Sequence, residues 1–178
     1  MTKKILITGA NGQLGHEMRN ALKGNNRFEC IFTDVAELDI CNAEAVKQII
    51  ADNHIDYIVN CAAYTPEDNA ELCKKINTDA VENLARAAAD YGARMIHIST
   101  DYVFNGRGYR PYTEDMVPDP QSVYGSTKLE GEKILTDICP ESIIIRTAWL
   151  YSPYGNNFVK TMLHLGEERE ELSVVADQ

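Results

Sequence analysis

Tyr124 and Lys128 are the residues whose types and spacing most directly allow chemistry, because a four-residue separation on a helix puts two side chains on one face. A phenol stays protonated near neutral pH, with a reference pKa of about 10, and a nearby ammonium favours the phenolate and eases proton transfer. Thr100, at the end of the run from Arg94 to Ser99, adds a hydroxyl that can hydrogen-bond a carbonyl oxygen. Together the three match what carbonyl reduction requires: a proton donor, a charge that tunes it and a group that orients the oxygen. Lys128 can also reach a nicotinamide ribose hydroxyl, so Tyr124 and Lys128 count as cofactor contacts, and Thr100 and Tyr124 as substrate contacts, besides forming the catalytic set. A Tyr-x-x-x-Lys pair is by itself a weak sign, since exposed helical pairs of this kind are ordinary. The features around it carry the weight.

The first of these is the turn Gly9-Ala10-Asn11-Gly12-Gln13-Leu14-Gly15, which follows an apolar run and opens an amphipathic segment. Its glycines are spaced G-x-x-G-x-x-G rather than G-x-G-x-x-G, but the strand, turn and helix context of a dinucleotide-binding turn is present. Gly9 permits the tight turn, Gly12 lets the backbone approach a pyrophosphate, and Gly15 permits close helix-to-strand packing, while N–H groups at the helix start face the anion. Asp34, 25 residues beyond Gly9, can accept hydrogen bonds from an adenosine ribose. Its carboxylate would repel a 2'-phosphate, and no Lys or Arg lies between Thr33 and Ile40, so NADH is expected to be preferred over NADPH. Asp39 is a second candidate near the adenine, or equally a local turn or cap residue.

The elements that would position these groups alternate. Strands are predicted at Lys4–Thr8, Glu29–Thr33, Tyr57–Asn60, Arg94–Ser99, Ser142–Thr147 and Glu171–Val175, with helices near Gln13–Leu22, Ala43–Asp52, Asn69–Tyr91, Tyr124–Ile138 and Asn157–Gly166. Six mostly continuous apolar strands and five crossover helices predict an α/β fold, a doubly wound parallel sheet covered on both faces. The irregular stretch from Asp101 to Val123 follows a central strand at the C-terminal edge of the sheet, where open α/β sheets bind ligands.

The 178 residues carry 27 acidic and 17 basic side chains, a net charge of -10, which disfavours nucleic acid and anionic membranes as partners. No apolar run is long enough to cross a bilayer, and the five scattered cysteines contain no C-x-x-C pair, so free thiols in a cytoplasmic, soluble protein are expected. The histidines form no metal-ligand array, and no metal site is expected within the chain.

Taken with Val59-Asn60-Cys61-Ala62-Ala63-Tyr64-Thr65, Ser99-Thr100-Asp101-Tyr102-Val103-Phe104 and Tyr124-Gly125-Ser126-Thr127-Lys128, the glycine turn resembles that of the dTDP-4-dehydrorhamnose reductases, a family of extended short-chain dehydrogenases/reductases with a Rossmann-like domain. The resemblance continues through Arg146–Tyr151 and Asn157–Met162 to Val174-Val175-Ala176-Asp177-Gln178. It implies reduction of the 4-keto group of dTDP-4-dehydro-L-rhamnose by NADH or NADPH to give dTDP-L-rhamnose. It also implies the trio Thr100, Tyr124 and Lys128 as catalytic, Ala62, Ala63 and Tyr64 along the cofactor, and Thr65, Tyr102 and Trp149 on the sugar nucleotide. For the two aromatics, loop packing of Tyr102 and core packing of Trp149 stay open. Family members are longer, which implies that residues 1–178 form the dinucleotide-binding domain carrying the catalytic residues, with a smaller substrate-binding region beyond 178. Some are dimers assisted by a metal, so a homodimer and Mg2+ are further implications for the whole protein. Another NAD(P)-dependent sugar-nucleotide reductase, epimerase or dehydratase, or a noncatalytic dinucleotide-binding regulatory subunit, are the alternatives.

Overall fold

In the computed structural model, which describes residues 2–66 and 68–174, five parallel strands form one sheet in the order β2-β1-β3-β4-β5. They are β1 (Lys3–Thr8), β2 (Phe28–Thr33), β3 (Tyr57–Asn60), β4 (Arg94–Thr100) and β5 (Ile143–Thr147). Alternate side chains leave opposite faces of a strand, so the continuous apolar runs build two cores. On one face Ile5, Ile7 and Val59 pack with Met18 and Leu22 of α1 (Gln13–Leu22). On the other, Leu6, Ile58 and Met95 meet α2 (Ala43–Asn53) through Val46 and Ile50, and α4 (Ala80–Tyr91) through Val81, Leu84 and Ala88. The chain crosses from β2 over β1 to β3, which leaves the C-terminal ends of β1 and β3 at the point where the winding reverses and a crevice opens.

Two predicted elements come out differently. The helix expected over Asn69–Tyr91 is broken into α3 (Ala70–Lys74), a π-helical turn (Lys75–Asp79) and α4. The extra residue of that turn brings Asn77 inward, where its side chain brackets Tyr64: the Tyr64 N–H donates to Oδ1 at 2.9 Å and Nδ2 donates to the Tyr64 carbonyl at 2.8 Å. Satisfaction of the buried Asn77 side chain against the Tyr64 backbone therefore outweighs unbroken helical pairing. The predicted sixth strand is absent from residues 171–174, and Val175 to Gln178, with the last resemblance segment, lie outside the described residues. A strand forms only against a ladder partner, and β5 pairs with β4 alone, leaving Ile143 and Ile145 exposed at the sheet edge. Nearby, α6 (Phe158–Glu168) carries no buried residue.

α5 (Val123–Ile138) starts one residue earlier than predicted, capped by Ser122, whose hydroxyl accepts the Gly125 N–H at 3.0 Å. It lies unusually close to the π turn, because Thr78 Oγ1 donates to the Thr127 carbonyl at 2.9 Å and Gly131 sits on the backbone of Asn77. A Cβ at Gly131 would meet the Asn77 carbonyl oxygen at 2.3 Å. Gly131→Ala should therefore destabilise by about 1–3 kcal/mol despite the better helix propensity of alanine, seen as a lower urea midpoint. Gly166→Ala in α6, with open space around it, should leave that midpoint undiminished.

Candidate active site

At the end of β1 the chain turns through Gly9 with φ +65°, and a Cβ there would meet the Ala62 nitrogen at 2.6 Å. Only glycine lets the turn lie against the segment after β3. Asp34 closes the mouth of this turn: its two carboxylate oxygens accept the N–H groups of Asn11 and Val35, each at 2.9 Å. No side chain caps α1 at Gly12, which leaves first-turn N–H groups without a side-chain acceptor, the arrangement that suits an anion. Gly9, Asn11, Gly12, Asp34, Asp39, Ala62 and Ala63 line one cavity of about 560 Å³. Seven residues expected to hold a dinucleotide thus meet in space.

The remaining cofactor candidates sit around it. Gly15 is buried against Ala10, and Leu14 belongs to the same first turn of α1, so neither lines the cavity. The Gln13 side chain is taken by Asn157, whose Nδ2 donates to Oε1 at 2.8 Å, and so ties the loop before α6 onto α1. Tyr64 is held by Asn77, and its hydroxyl donates to Asp68 at 3.3 Å. Asp39 has a structural duty as well, accepting the Cys41 N–H at 2.9 Å. Lys75, in the π turn, lines the same cavity and was not singled out from the sequence, because only the inward swing of that turn brings it there.

The second constellation gathers at the C-terminal end of β4. Thr100 is buried; its hydroxyl accepts the Tyr102 N–H and donates to Asp101 Oδ1, both at 3.2 Å. Tyr102 rests edge-on against Tyr124, with ring centroids 5.9 Å apart, in a short 3-10 turn (Asp101–Val103) that fits over Gly125. Burial pushes the Tyr124 phenol above its ordinary pKa, with the Thr100 hydroxyl pulling back and Asp101 adding to the rise. Thus the expected lowering by Lys128 is not met. The reason is where the lysine points: Lys128 is buried, donates to the Ile98 carbonyl at 2.7 Å, and places Nζ 3.1 Å from Nε2 of His97.

Burial lowers the Lys128 pKa to about 8, against the attraction of Glu132 and smaller contributions from Cys61 and Cys73. Glu132, a turn further along α5, is itself buried, accepts the Ser99 hydroxyl, and pairs with Arg146, whose Nη2 lies 2.7 Å from Oε2. Neither Glu132 nor Arg146 was a sequence candidate for the site, although Tyr124, Lys128 and Glu132 recur at four-residue intervals, which was the available signal.

Of the residues expected on the sugar nucleotide, Tyr102 and Trp149 line a cavity of about 650 Å³ with Gln121 and Ser122. Both are about half exposed, Trp149 with φ +53° and its ring edge-on to Phe158. Thr65 is exposed and lines none of this cavity. Within the long loop, Phe104 stacks on Tyr112 at 4.3 Å over Val103 and Leu129, so part of the loop is a small core of its own. Among the described residues no three His, Cys, Asp or Glu side chains cluster as a metal site, and no helix is long and apolar enough to cross a membrane.

A doubly wound sheet with a glycine turn at its switch point and a Tyr/Lys pair beside the next strand end defines a Rossmann-like α/β protein with a candidate dinucleotide site. More narrowly, the chain belongs to the family described as the RmlD substrate binding domain, whose model matches residues 3–178. It is 46% identical to the dTDP-4-dehydrorhamnose reductase of Aggregatibacter actinomycetemcomitans, over 98% of this chain and 61% of the relative. It is 42% identical to the spore coat polysaccharide biosynthesis protein SpsK of Bacillus subtilis, over 98% of this chain and 63% of the relative. The chain therefore spans about three fifths of the length of the curated relatives it matches. A crystal structure of a dTDP-4-dehydrorhamnose reductase from Clostridium acetobutylicum superposes with a TM-score of 0.94 at 51% identity, covering 98% of this chain and 63% of that one. The Bacillus anthracis reductase, solved in complex with NADP, also gives 0.94, at 42% identity over 100% of this chain and 65% of its own.

The lowered Lys128 pKa has a consequence for stability. Between about 8 and the ordinary 10.5 the unfolded lysine holds a proton that the folded one has released, so stability rises with pH across that window. Urea unfolding of wild type and Lys128→Met from pH 7 to pH 10.5 should show the wild type gaining on the variant.

Proposed function

We propose that this chain is the dinucleotide-binding and catalytic part of a dTDP-4-dehydrorhamnose reductase, and that the further length of its relatives corresponds to a smaller substrate-binding region. The observation that carries the reading is the convergence of Thr100 and Tyr124 at the end of β4, with Lys128 buried one helical turn further along α5 and the glycine-turn cavity at the adjoining strand ends. The shared name of the relatives supports the substrate, a sugar nucleotide with a 4-keto group.

Gly9, Asn11, Gly12, Asp34, Asp39, Ala62 and Ala63 would hold the dinucleotide, and the absence of a Cβ at Gly9 gives the close approach such a group needs. When bound, the reduced dinucleotide supplies the electron pair that reduces the sugar ketone. Tyr124 then gives its phenolic proton to the ketone oxygen. Its raised pKa keeps that proton in place at neutral pH, the state a general acid must hold. Thr100 turns its hydroxyl from Asp101 to the same oxygen, while Lys128, a helical turn further along α5, is held inside by the Ile98 carbonyl and His97. Tyr102 and Trp149 offer rings to the sugar nucleotide, and the acidic surface is that of a cytoplasmic enzyme with no nucleic-acid partner.

Asp34 favours NADH, because its carboxylate stands where a 2'-phosphate would bring further negative charge; Lys75 is the one cation lining the cavity among the described residues. The full-length protein should oxidise NADH with dTDP-4-dehydrorhamnose, and kcat/KM should be higher for NADH than for NADPH. Asp34→Ala should narrow that gap, and equal or better use of NADPH by the wild type would overturn the preference. Tyr124→Phe should cut turnover by about 100-fold or more while leaving dinucleotide binding, followed by fluorescence titration, largely intact.

A further inference from the structure

His97, on β4, is fully buried and outside the catalytic trio, yet it touches the catalytic lysine. Its Nδ1 lies 3.1 Å from Nδ2 of Asn60, and its Nε2 lies 3.1 Å from Nζ of Lys128. Asn60 is also fully buried, at the end of β3, and its orientation has one solution. The Ala62 N–H donates to Asn60 Oδ1 at 3.1 Å, and the Thr8 hydroxyl donates to the same oxygen at 2.7 Å. A backbone N–H can only donate, so the atom it meets is the amide oxygen, and the atom facing His97 is the amide nitrogen, which also only donates. His97 Nδ1 must then accept, and the proton of the neutral ring belongs on Nε2, aimed at Lys128.

We propose that Asn60 and His97 form a directional hydrogen-bond relay, polarised by the Ala62 amide, that presents an N–H to Lys128 and so favours its neutral amine over its ammonium. An ammonium has no lone pair, and donor against donor at 3.1 Å in a buried site is unfavourable; the amine accepts from Nε2 and still donates to the Ile98 carbonyl. The other titratable groups around Lys128 are Glu132 on α5, Cys61 after β3 and Cys73 on α3, with Arg146 of β5 already paired to Glu132. His97 is itself held neutral, by burial and by the lysine. The relay begins at Ala62, which lines the glycine-turn cavity, so the backbone there is wired to the lysine by hydrogen bonds alone. His97 and Asn60 are positioning residues, and their role in catalysis rests on the reductase reading, whereas the relay itself does not.

Nitrogen-15 NMR of the histidine ring in the full-length protein, above the Lys128 midpoint, should find the proton on Nε2; a proton on Nδ1 would overturn the relay. Asn60→Asp replaces the donor facing Nδ1 by an acceptor, so the proton should move to Nδ1 and Nε2 should accept from the ammonium. The Lys128 midpoint, followed by carbon-13 at Cε, should then rise by about one pH unit or more. A carboxylate acting only through its charge would raise that midpoint and leave the proton on Nε2, which would also overturn the proposal. Neither measurement requires turnover, so a failed reductase assay leaves the relay standing and a failed relay leaves the reductase reading standing.

Discussion

An amine buried under a strand end is the constraint on which the site depends. Lys128 has almost no contact with solvent, so every polar group it meets must come from the protein. The Ile98 carbonyl, His97 and the charge of Glu132 meet that demand, and each brings demands of its own. Glu132 needs Ser99 and Arg146, and Arg146 lies over the ring of Phe104 in the small core of the long loop. His97 needs Asn60, and Asn60 reaches Thr8 and Ala62. One buried nitrogen thus connects β1, β3, β4, β5 and α5.

That network exists only because α5 approaches the π turn so closely. Gly131 removes the side chain that would hold the two backbones apart, Thr78 and Thr127 bind across the contact, and Asn77 reaches past it to fix Tyr64. The same approach carries Tyr124 under Tyr102, where burial rather than a neighbouring cation sets its acidity. In the proposed ketone reduction a raised pKa suits Tyr124, since the proton must be present when the oxygen becomes basic.

Much of this was legible in the chain itself. Short apolar runs alternating with amphipathic segments can satisfy their backbones and bury their faces in few ways, so the parallel sheet, its order of elements and the strand-end position of Thr100 follow from pattern. The glycine turn was readable because Gly9 stands where no Cβ fits, and Tyr124 and Lys128 because helical spacing is a local property. Other features were not local. The break at Lys75–Asp79 answers to Tyr64, which lies in a different element, and the sixth strand could not be judged without a ladder partner.

Residue types and local spacing alone determined the fold class, the glycine turn and which side chains are candidates for the chemistry. Only the tertiary structure decided what state those groups are in. Burial moved Tyr124 and Lys128 in directions that spacing does not encode, because desolvation depends on what the whole chain packs around a group. It also brought in Glu132, Arg146, His97, Asn60 and Lys75, whose partners are far away in sequence. The direction of the hydrogen bond from Asn60 to His97 is set by a backbone N–H at Ala62, and no side-chain pattern could have shown where that amide points.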